Sequence, residues 1–344
     1  MRAPQNAGTL APAKRHPAMA LAILGMLFLV IVWWSLTLGR YDVPLATWWK
    51  LVLAPDETGI PGQILLQVRL PRIAAGILIG AGLSAAGAAY QGIFRNPMVS
   101  PDILGASAGA GFGAAGAILF DFSVAGVQAA SFAFGLLAVL LTCAAAARLK
   151  RAGDPILTLV LVGILVGAVF TALVSLVKYA ADPYSKLPAI TLWLMGSLAA
   201  INPKDLAFAV LPMSIGLVPL YFLRWNLNVM AFGEEEARAL GADTGKLRWI
   251  IIFCATLLTA ASVAIAGMVG WVGLVIPHLA RMIVGPDYRT LLPASVLLGA
   301  GYLLLTDDLA RSVMANEIPL GIITALVGAP FFLTLMMRSQ RGWV

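Results

Sequence analysis

The sequence predicts an all-α, polytopic membrane protein with about ten transmembrane helices and an inverted internal repeat. Of its 344 residues, 60% are hydrophobic and only 11% are charged, whereas about a quarter of the residues in a soluble domain carry a charge. The mean hydropathy is correspondingly high, at +0.92. These values exclude a soluble domain with an ordinary charged surface.

Ten apolar runs divide the chain, and a helix that spans the hydrocarbon core needs about 20 apolar residues. Two of the runs are shorter, so we expect broken or tightly packed helices at 272–284 and 291–305. We assign residues 1–17 and 339–344 to cytoplasmic tails and residues 18–338 to a single transmembrane domain. The runs are 18–38, 73–94, 103–120, 124–147, 156–177, 206–223, 247–269, 272–284, 291–305 and 318–337.

Small residues dominate the segment from 69 to 116, which joins two apolar runs through the polar break FRNPMVSPD. Because lipid tails are as apolar as leucine, only close backbone approach holds such helices together. We therefore expect helix contacts at Gly80, Gly87, Gly105 and Gly109. The run 247–269 is likewise followed by a proline-broken turn, in GWVGLVIPHLAR, and by a further short run. It enters from the opposite side, which indicates an inverted repeat.

The lysines and arginines near the ends of the runs favour cytoplasmic N- and C-termini, because cytoplasmic loops carry an excess of these residues. The resulting alternation places a cluster at 148–151 and a second group at 224–248 on the cytoplasmic side. Arg69, Arg72 and Arg311 fall on the opposite side, against this bias. The exceptions therefore need a separate explanation.

A short helix is predicted from Glu234 to Leu240, in the cytoplasmic connection between two runs. Glu234 and Arg238 have the i,i+4 spacing of a helical ion pair, and Gly233 and Gly241 flank the stretch. Such a helix could be a solvated surface element. It could equally be the point at which another protein contacts this chain.

The chain shows no machinery for hydrolysing ATP. GADTGKL, at 241–247, is one residue too short for a phosphate-binding loop and has Leu247 where that loop needs a hydroxyl. The chain has two histidines and two cysteines, without the spacing of a metal site. We therefore predict a transport subunit that is not itself an enzyme, with no cofactor and no metal.

Seven motifs in order resemble the permease family that imports iron-siderophores, haem and cobalamin, the type II ABC importers. They are RLPR, GIFRNPMVSPDILGASAGAGFGA, WLMGS, GEEEARALG, GWVGLVIPHLAR, LLPASVLLGAGYLLLTDDLAR and EIPLGIITALVGAPFFLTLM. The resemblance implies a homodimer in the inner, cytoplasmic membrane, in contact with lipid and not with nucleic acid. It also implies two ATP-binding subunits on the cytoplasmic side and a periplasmic or surface-tethered substrate-binding protein on the other.

The resemblance also assigns roles to matching residues. It implies that Arg69, Arg72 and Arg311 dock acidic side chains of the binding protein. The region 232–246 would couple to the ATPase, and the start of the run at 156 would form the inner gate. The coupling residues are Gly233, Glu234, Glu235, Glu236, Ala237, Arg238, Leu240 and Gly241, and the gate residues are Asp154, Pro155, Ile156 and Leu157. Because the gate reads DPIL, no individual role is carried over there.

The sequence therefore predicts ATP-driven import by alternating access. A largely apolar passage suits a bulky chelate, so ferric siderophore or haem is the leading substrate. Cobalamin and an oxyanion such as molybdate remain alternatives within the family. A secondary transporter driven by an ion gradient is the alternative of another class. It would need carboxylates spaced through the membrane as a relay, and the candidates are Asp307 and Asp308, beside Arg311.

Overall fold

The computed structural model describes residues 17–39, 41, 43–53, 58–149, 154–314 and 316–339, and these residues form helices and connecting loops without a β-strand. The predicted tails lie outside these ranges except for Pro17 and Ser339. The helices are α1 (Pro17–Thr37), α2 (Leu45–Leu53), α3 (Gly59–Ile64), α4 (Leu70–Ile93), α5 (Ala106–Leu119), α6 (Val124–Arg148), α7 (Pro155–Ala180), α8 (Lys186–Met195), α9 (Pro203–Phe222), α10 (Arg224–Phe232), α11 (Glu234–Ala239), α12 (Thr244–Ala266), α13 (Val272–Val284), α14 (Tyr288–Ser312) and α15 (Leu320–Ser339).

Seven helical segments of the described chain are long and apolar enough to cross a membrane, and α5, α8, α13 and α15 are further apolar helices. Each of the ten apolar runs coincides with one helix, which confirms an all-α polytopic protein. The seven segments are α1, the continuous helix Gly59–Ile93, α6, α7, α9, α12 and α14.

The helix Gly59–Ile93 begins well before the apolar run at 73. It contains α3, a π-helical turn at Leu65–Arg69, and α4. Pro71 follows the π-helical turn, and its ring nitrogen has no hydrogen to donate to a carbonyl four residues earlier. A single wider turn at such a point keeps the helix continuous. The chain between the first two apolar runs therefore contains α2 and the first part of this long helix.

The helices α5 and α13 are short because each follows an irregular segment. A 3₁₀ turn at Pro101–Leu104 and Gly105, whose φ is 85°, precede α5. Gly267 and Trp271 have φ values of 70° and 68° in the segment before α13. A left-handed backbone is unusual for a bulky residue such as tryptophan. The first predicted break lies before α5. The second interruption lies at 267–271, whereas Pro277, which was expected in that turn, lies inside α13. The short run 291–305 belongs to the continuous helix α14, whose apolar window is 61% buried, so this helix is packed and not broken.

The core of the bundle consists of α4 and α12, each with 83% of its apolar window buried, whereas α1 has 11% buried and lies at the periphery. The helix α4 packs on α13 and α14, and α12 packs on α5 and α6. In the predicted inverted repeat, α4 corresponds to α12 and α5 to α13. Each of the two central helices thus packs on the helices that follow the other one, and the repeat itself stays a prediction. The glycine-rich sequence of α4 explains its central place, because small residues allow close packing on several sides.

Candidate functional site

Two ends of the bundle carry the predicted site residues. The first, which we name the arginine end, contains Arg69, Arg72 and Arg311, near the C-terminal ends of α1 and α14. The second, which we name the α11 end, contains α10, α11 and the N-terminal ends of α12 and α14.

Arg72 joins two carboxylates at the arginine end. Its Nε and Nη2 atoms donate to the two oxygens of Asp307, both at 2.8 Å. Its Nη1 and Nη2 atoms donate to Glu317 at 2.9 and 2.7 Å. The side chains of Arg72 and Asp307 are 8% and 3% exposed, while Glu317 is 26% exposed. Such bidentate pairs are among the strongest hydrogen bonds in proteins.

Arg311 fixes the end of α1. It forms an ion pair with Asp308 and donates to the backbone carbonyls of Leu38 at 3.0 Å and Ser35 at 2.9 Å. The Ser35 hydroxyl donates to the other oxygen of Asp308 at 2.5 Å. The last turn of α1 is therefore held by α14 through buried polar groups.

Arg69 lies in the π-helical turn and is 5% exposed. Its guanidinium donates to the carbonyl of Leu36 at 2.9 Å and to the carbonyl of Tyr41. The structure thus brings the three predicted docking arginines together, and each of them binds groups of this same chain. Their docking role stays a prediction.

Among the residues that the structure describes, the three arginines of this end lie with three carboxylates, those of Asp307, Asp308 and Glu317. Sequence reasoning placed Asp307 and Asp308 near Arg311 but gave no role to Ser35 or Glu317. The charge of Glu317 in an otherwise apolar stretch was the available signal. A cavity of about 610 Å³ opens beside the cluster and is lined by the three arginines and Glu317.

At the α11 end, one face of α11 is anchored and the other is exposed. Glu234 pairs with Arg238 at 3.1 Å and with Arg248 of α12, and Ala237 is fully buried. Glu235 and Glu236 are exposed, and Leu240 is 68% exposed. The flanking glycines have φ values of 129° at Gly233 and 81° at Gly241, which favour glycine.

The helix α10 connects α11 to the core. The Asn228 side chain donates to Asp287 at 2.7 Å and accepts from the Tyr288 amide at 2.8 Å. The Tyr288 hydroxyl donates to the carbonyl of Ala88 in α4 at 3.0 Å. Hydrogen bonds from the Arg289 amide and from Asn228 lower the pKa of Asp287 below its usual value. A displacement of α10 would therefore reach both α4 and α14.

The predicted gate residues form the start of α7. The Asp154 side chain accepts from the Ile156 amide at 2.8 Å, and Pro155 occupies the first turn, as both residue types commonly do. Asp154 lies within electrostatic reach of Arg248, which places this helix start at the α11 end. Leu157 is 56% exposed.

The four predicted packing glycines lie against other backbone segments. A Cβ atom on Gly80 would lie 3.0 Å from the Cα of Ala300, and one on Gly87 would overlap the Gly273 carbonyl. A Cβ atom on Gly109 would lie 2.6 Å from the Cβ of Ala138. Gly105 combines its positive φ with an approach to the amide of Gly167, 3.3 Å from the Cβ position.

A second cavity, of about 760 Å³, lies between α6, α8, α9 and α12. Its polar lining includes a buried hydrogen bond of 2.7 Å from Gln128 to Asp205. Lys186 also lines it and pairs with Asp121. Among the residues that the structure describes, no group of three or more histidine, cysteine, aspartate or glutamate side chains could hold a metal ion.

The all-helical fold, with seven described segments long and apolar enough to cross a membrane, defines a multi-pass membrane protein. The chain belongs to the FecCD transport family, which matches residues 27–338. It is thus a permease of a type II ABC importer family, and this membership implies association with an ATPase and a binding protein.

Individual relatives cover nearly the whole chain. The molybdate import system permease protein MolB of Haemophilus influenzae is 42% identical over 325 residues, which are 93% of this chain and 95% of that protein. An iron chelatin transport system permease protein of Helicobacter pylori strain 26695 is 37% identical, over 94% of this chain and 98% of that protein. A solved metal-chelate type ABC transporter in an inward-facing conformation aligns with a TM-score of 0.84 and 41% identity, over 93% of this chain and 99% of that one.

Proposed function

We propose that this chain is the transmembrane subunit of a binding-protein-dependent importer that is driven by ATP hydrolysis in a separate subunit. The observation that carries the proposal is the two-sided construction of α11. Glu234 and Ala237 fix this helix to the bundle, while Glu235, Glu236 and Leu240 are exposed. A helix that is anchored to the bundle and exposed on one face can transmit a movement of a bound ATPase to the rest of the chain.

In the proposed cycle, a loaded binding protein docks at the arginine end, outside the cell membrane. Two ATP-binding subunits contact α11 from the cytoplasm. Their closure displaces α11 and α10, and the hydrogen bonds of Asn228 and Tyr288 carry the displacement to α14 and α4. The two ends of the passage then open alternately.

The passage itself is proposed to lie between two copies of the chain. The helix α7 exposes large apolar side chains, with Leu161 at 52%, Leu165 at 65% and Val169 at 59%. A two-fold axis near α7 would bring the same face of both copies together. The gate residues 154–157 would then meet their counterparts at the cytoplasmic end of this axis.

Ferric siderophore or haem remains the leading substrate. The exposed face of α7 is mainly apolar, and its hydroxyls at Thr171 and Ser175 donate to carbonyls of their own helix at 2.8 and 3.1 Å. Such a wall offers few donors to a small anion and suits a bulky chelate. Molybdate is a second candidate, because the Haemophilus influenzae relative is named for molybdate import at 42% identity. Cobalamin stays possible within the same family.

A secondary transporter is a weaker explanation of the same structure. Its relay would have to use the carboxylates of α14, but Asp307 is bound to Arg72 and Asp308 to Arg311. Neutralised carboxylates at one end of a bundle do not form a path for ions across it. Membership of an ABC permease family also argues against this alternative.

Reconstitution in liposomes tests the proposal. The permease is purified with its candidate ATPase and binding protein, and uptake of a ferric hydroxamate, haem, cobalamin and molybdate is measured with and without ATP. We expect uptake of one of these that requires ATP and the loaded binding protein. ATP-independent uptake driven by a proton or sodium gradient would instead establish a secondary transporter.

A further inference from the structure

Arg72 binds two carboxylates that differ in how firmly the fold holds them. Asp307 is part of the helix α14, is 3% exposed and receives two hydrogen bonds from Arg72. Glu317 lies in the segment between α14 and α15 and is 26% exposed. Rotation of the Glu317 side chain would release it from Arg72 without unwinding a helix. Asp307 has no comparable freedom.

The cavity of about 610 Å³ is lined by Glu317 together with Arg69, Arg72 and Arg311. Val68, Val313 and Met314 contribute apolar surface to its lining and are 45%, 55% and 61% exposed. Apolar side chains around a charged centre are typical of the core of a protein interface. The cavity therefore fits an acidic side chain carried by a protein surface.

The hydrogen bonds of Arg72 limit how a carboxylate of a partner protein could bind to it. A guanidinium has five N–H donors, and Arg72 uses four of them on Asp307 and Glu317. One N–H group is too few for a second bidentate contact. An additional carboxylate would therefore find too few donors on Arg72, unless one of the present carboxylates leaves.

We infer that Glu317 occupies the position on Arg72 that a carboxylate of the docked binding protein takes in the assembled transporter. Docking is then an exchange of one carboxylate for another, while Asp307 stays bound and keeps α4 attached to α14. The inference rests on the proposed function, since it needs a binding protein at the arginine end. It extends the proposed function by assigning to Glu317 a competition with the binding protein for Arg72.

The exchange has a physical advantage over simple docking on free arginines. Without Glu317, Asp307 would still balance the charge of Arg72, but the two N–H groups that donate to Glu317 would lose their acceptor before the partner arrives, and unpaired buried donors are costly. With Glu317 in place, these donors are hydrogen-bonded both before and after docking. The competition weakens binding, which allows the partner to dissociate after it delivers its ligand.

Removal of the Glu317 charge tests the inference. The complex is held in nanodiscs, and its affinity for the binding protein identified by the reconstitution is measured for the parent and for Glu317→Gln. We expect the variant to bind about fivefold more tightly, because the partner no longer competes with an ion pair. Its affinity should also fall more steeply with salt, since removal of the Glu317 charge makes this end more positive by one unit.

A matched control is Asn316→Ala, at the exposed neighbour of Glu317, which should bind like the parent. Glu317→Asp, with a shorter reach to Arg72, should tighten binding in the same direction by a smaller factor, and it replaces the glutamine variant if that one fails to fold. Unchanged or weaker binding by the folded variants overturns the exchange and leaves Glu317 a structural ion-pair partner. If the parent itself binds no binding protein, both the exchange and the proposed docking are overturned.

Discussion

Arg72 is the residue whose replacement should cost most at the arginine end. Its removal leaves Asp307, which is 3% exposed, without its bidentate partner. Breaking a buried pair by deleting one member typically costs about 3 to 5 kcal/mol. We expect Arg72→Ala to lower the melting temperature and the yield of folded protein in detergent. Lys204→Ala, at an exposed position of α9, is the control, and equal melting of both variants would show that Arg72 is only an interfacial anchor.

Glycine positions give a second prediction for single residues. A Cβ atom on Gly87 would overlap the Gly273 carbonyl, whereas nothing lies within 4 Å of a Cβ atom on Gly116 in α5. Gly87→Ala should therefore force α4 and α13 apart and destabilise the protein. Gly116→Ala should be neutral or stabilising, because alanine is favoured over glycine in helices by up to about 1 kcal/mol. Thermal unfolding of both variants measures the difference, and equal stability would refute close packing at Gly87.

At the level of residues, sequence reasoning could select the three arginines but not their partners. The hydrogen bonds of Arg72 reach residues 235 and 245 positions further along the chain. A local sequence pattern cannot predict contacts between residues so far apart in the chain. The acidic residues near Arg311 were visible as a helical pair, while Ser35 and Glu317 acquire a role only when α1, α4 and α14 meet.

Among the elements, the long apolar helices were the part that hydropathy could predict. Membrane spans need continuous apolar length, so all ten runs became helices. The short helices α2, α8 and α10 lie in segments that were predicted as connections. Their length of nine or ten residues gives too little periodicity to distinguish a helix from a loop. The early start of the α3–α4 helix depends on a π-helical turn that has no sequence signature of its own.

The helix α11 leads to a prediction about coupling. Reversing both exposed charges with Glu235→Lys and Glu236→Lys should abolish association with the ATPase and ATP-driven uptake. The anchoring contacts of Glu234 and Ala237 remain, so thermal stability should stay near that of the parent. Glu234→Gln is the contrasting variant, because Glu234 pairs with Arg238 and Arg248, and it should lower stability. Normal co-purification and uptake by the double variant would remove α11 from the coupling path.

For the whole molecule, the proposed homodimer places the start of α7 on a two-fold axis. Equivalent residues near such an axis approach each other across the interface. The native cysteines Cys143 and Cys254 are buried, so a single introduced cysteine can be followed. Leu157→Cys should form a disulfide-linked dimer under mild oxidation, whereas Leu211→Cys, 67% exposed on α9, should not. The reverse pattern would place the axis away from the gate.

The hydrogen bonds between α14 and the end of α1 have a consequence for the synthesis and membrane insertion of the chain. Ser35 and its partner Asp308 are 273 residues apart, and synthesis at about 5–20 residues per second separates them by roughly 15–50 s. During this interval α1 is in the bilayer without its final partner. Because only 11% of its apolar window is buried even in the finished bundle, α1 can wait in lipid as an independent helix. We expect a nascent chain that is released before Asp307 to keep α1 inserted in the bilayer. In that chain α1 still diffuses laterally, and it becomes fixed only when α14 is present.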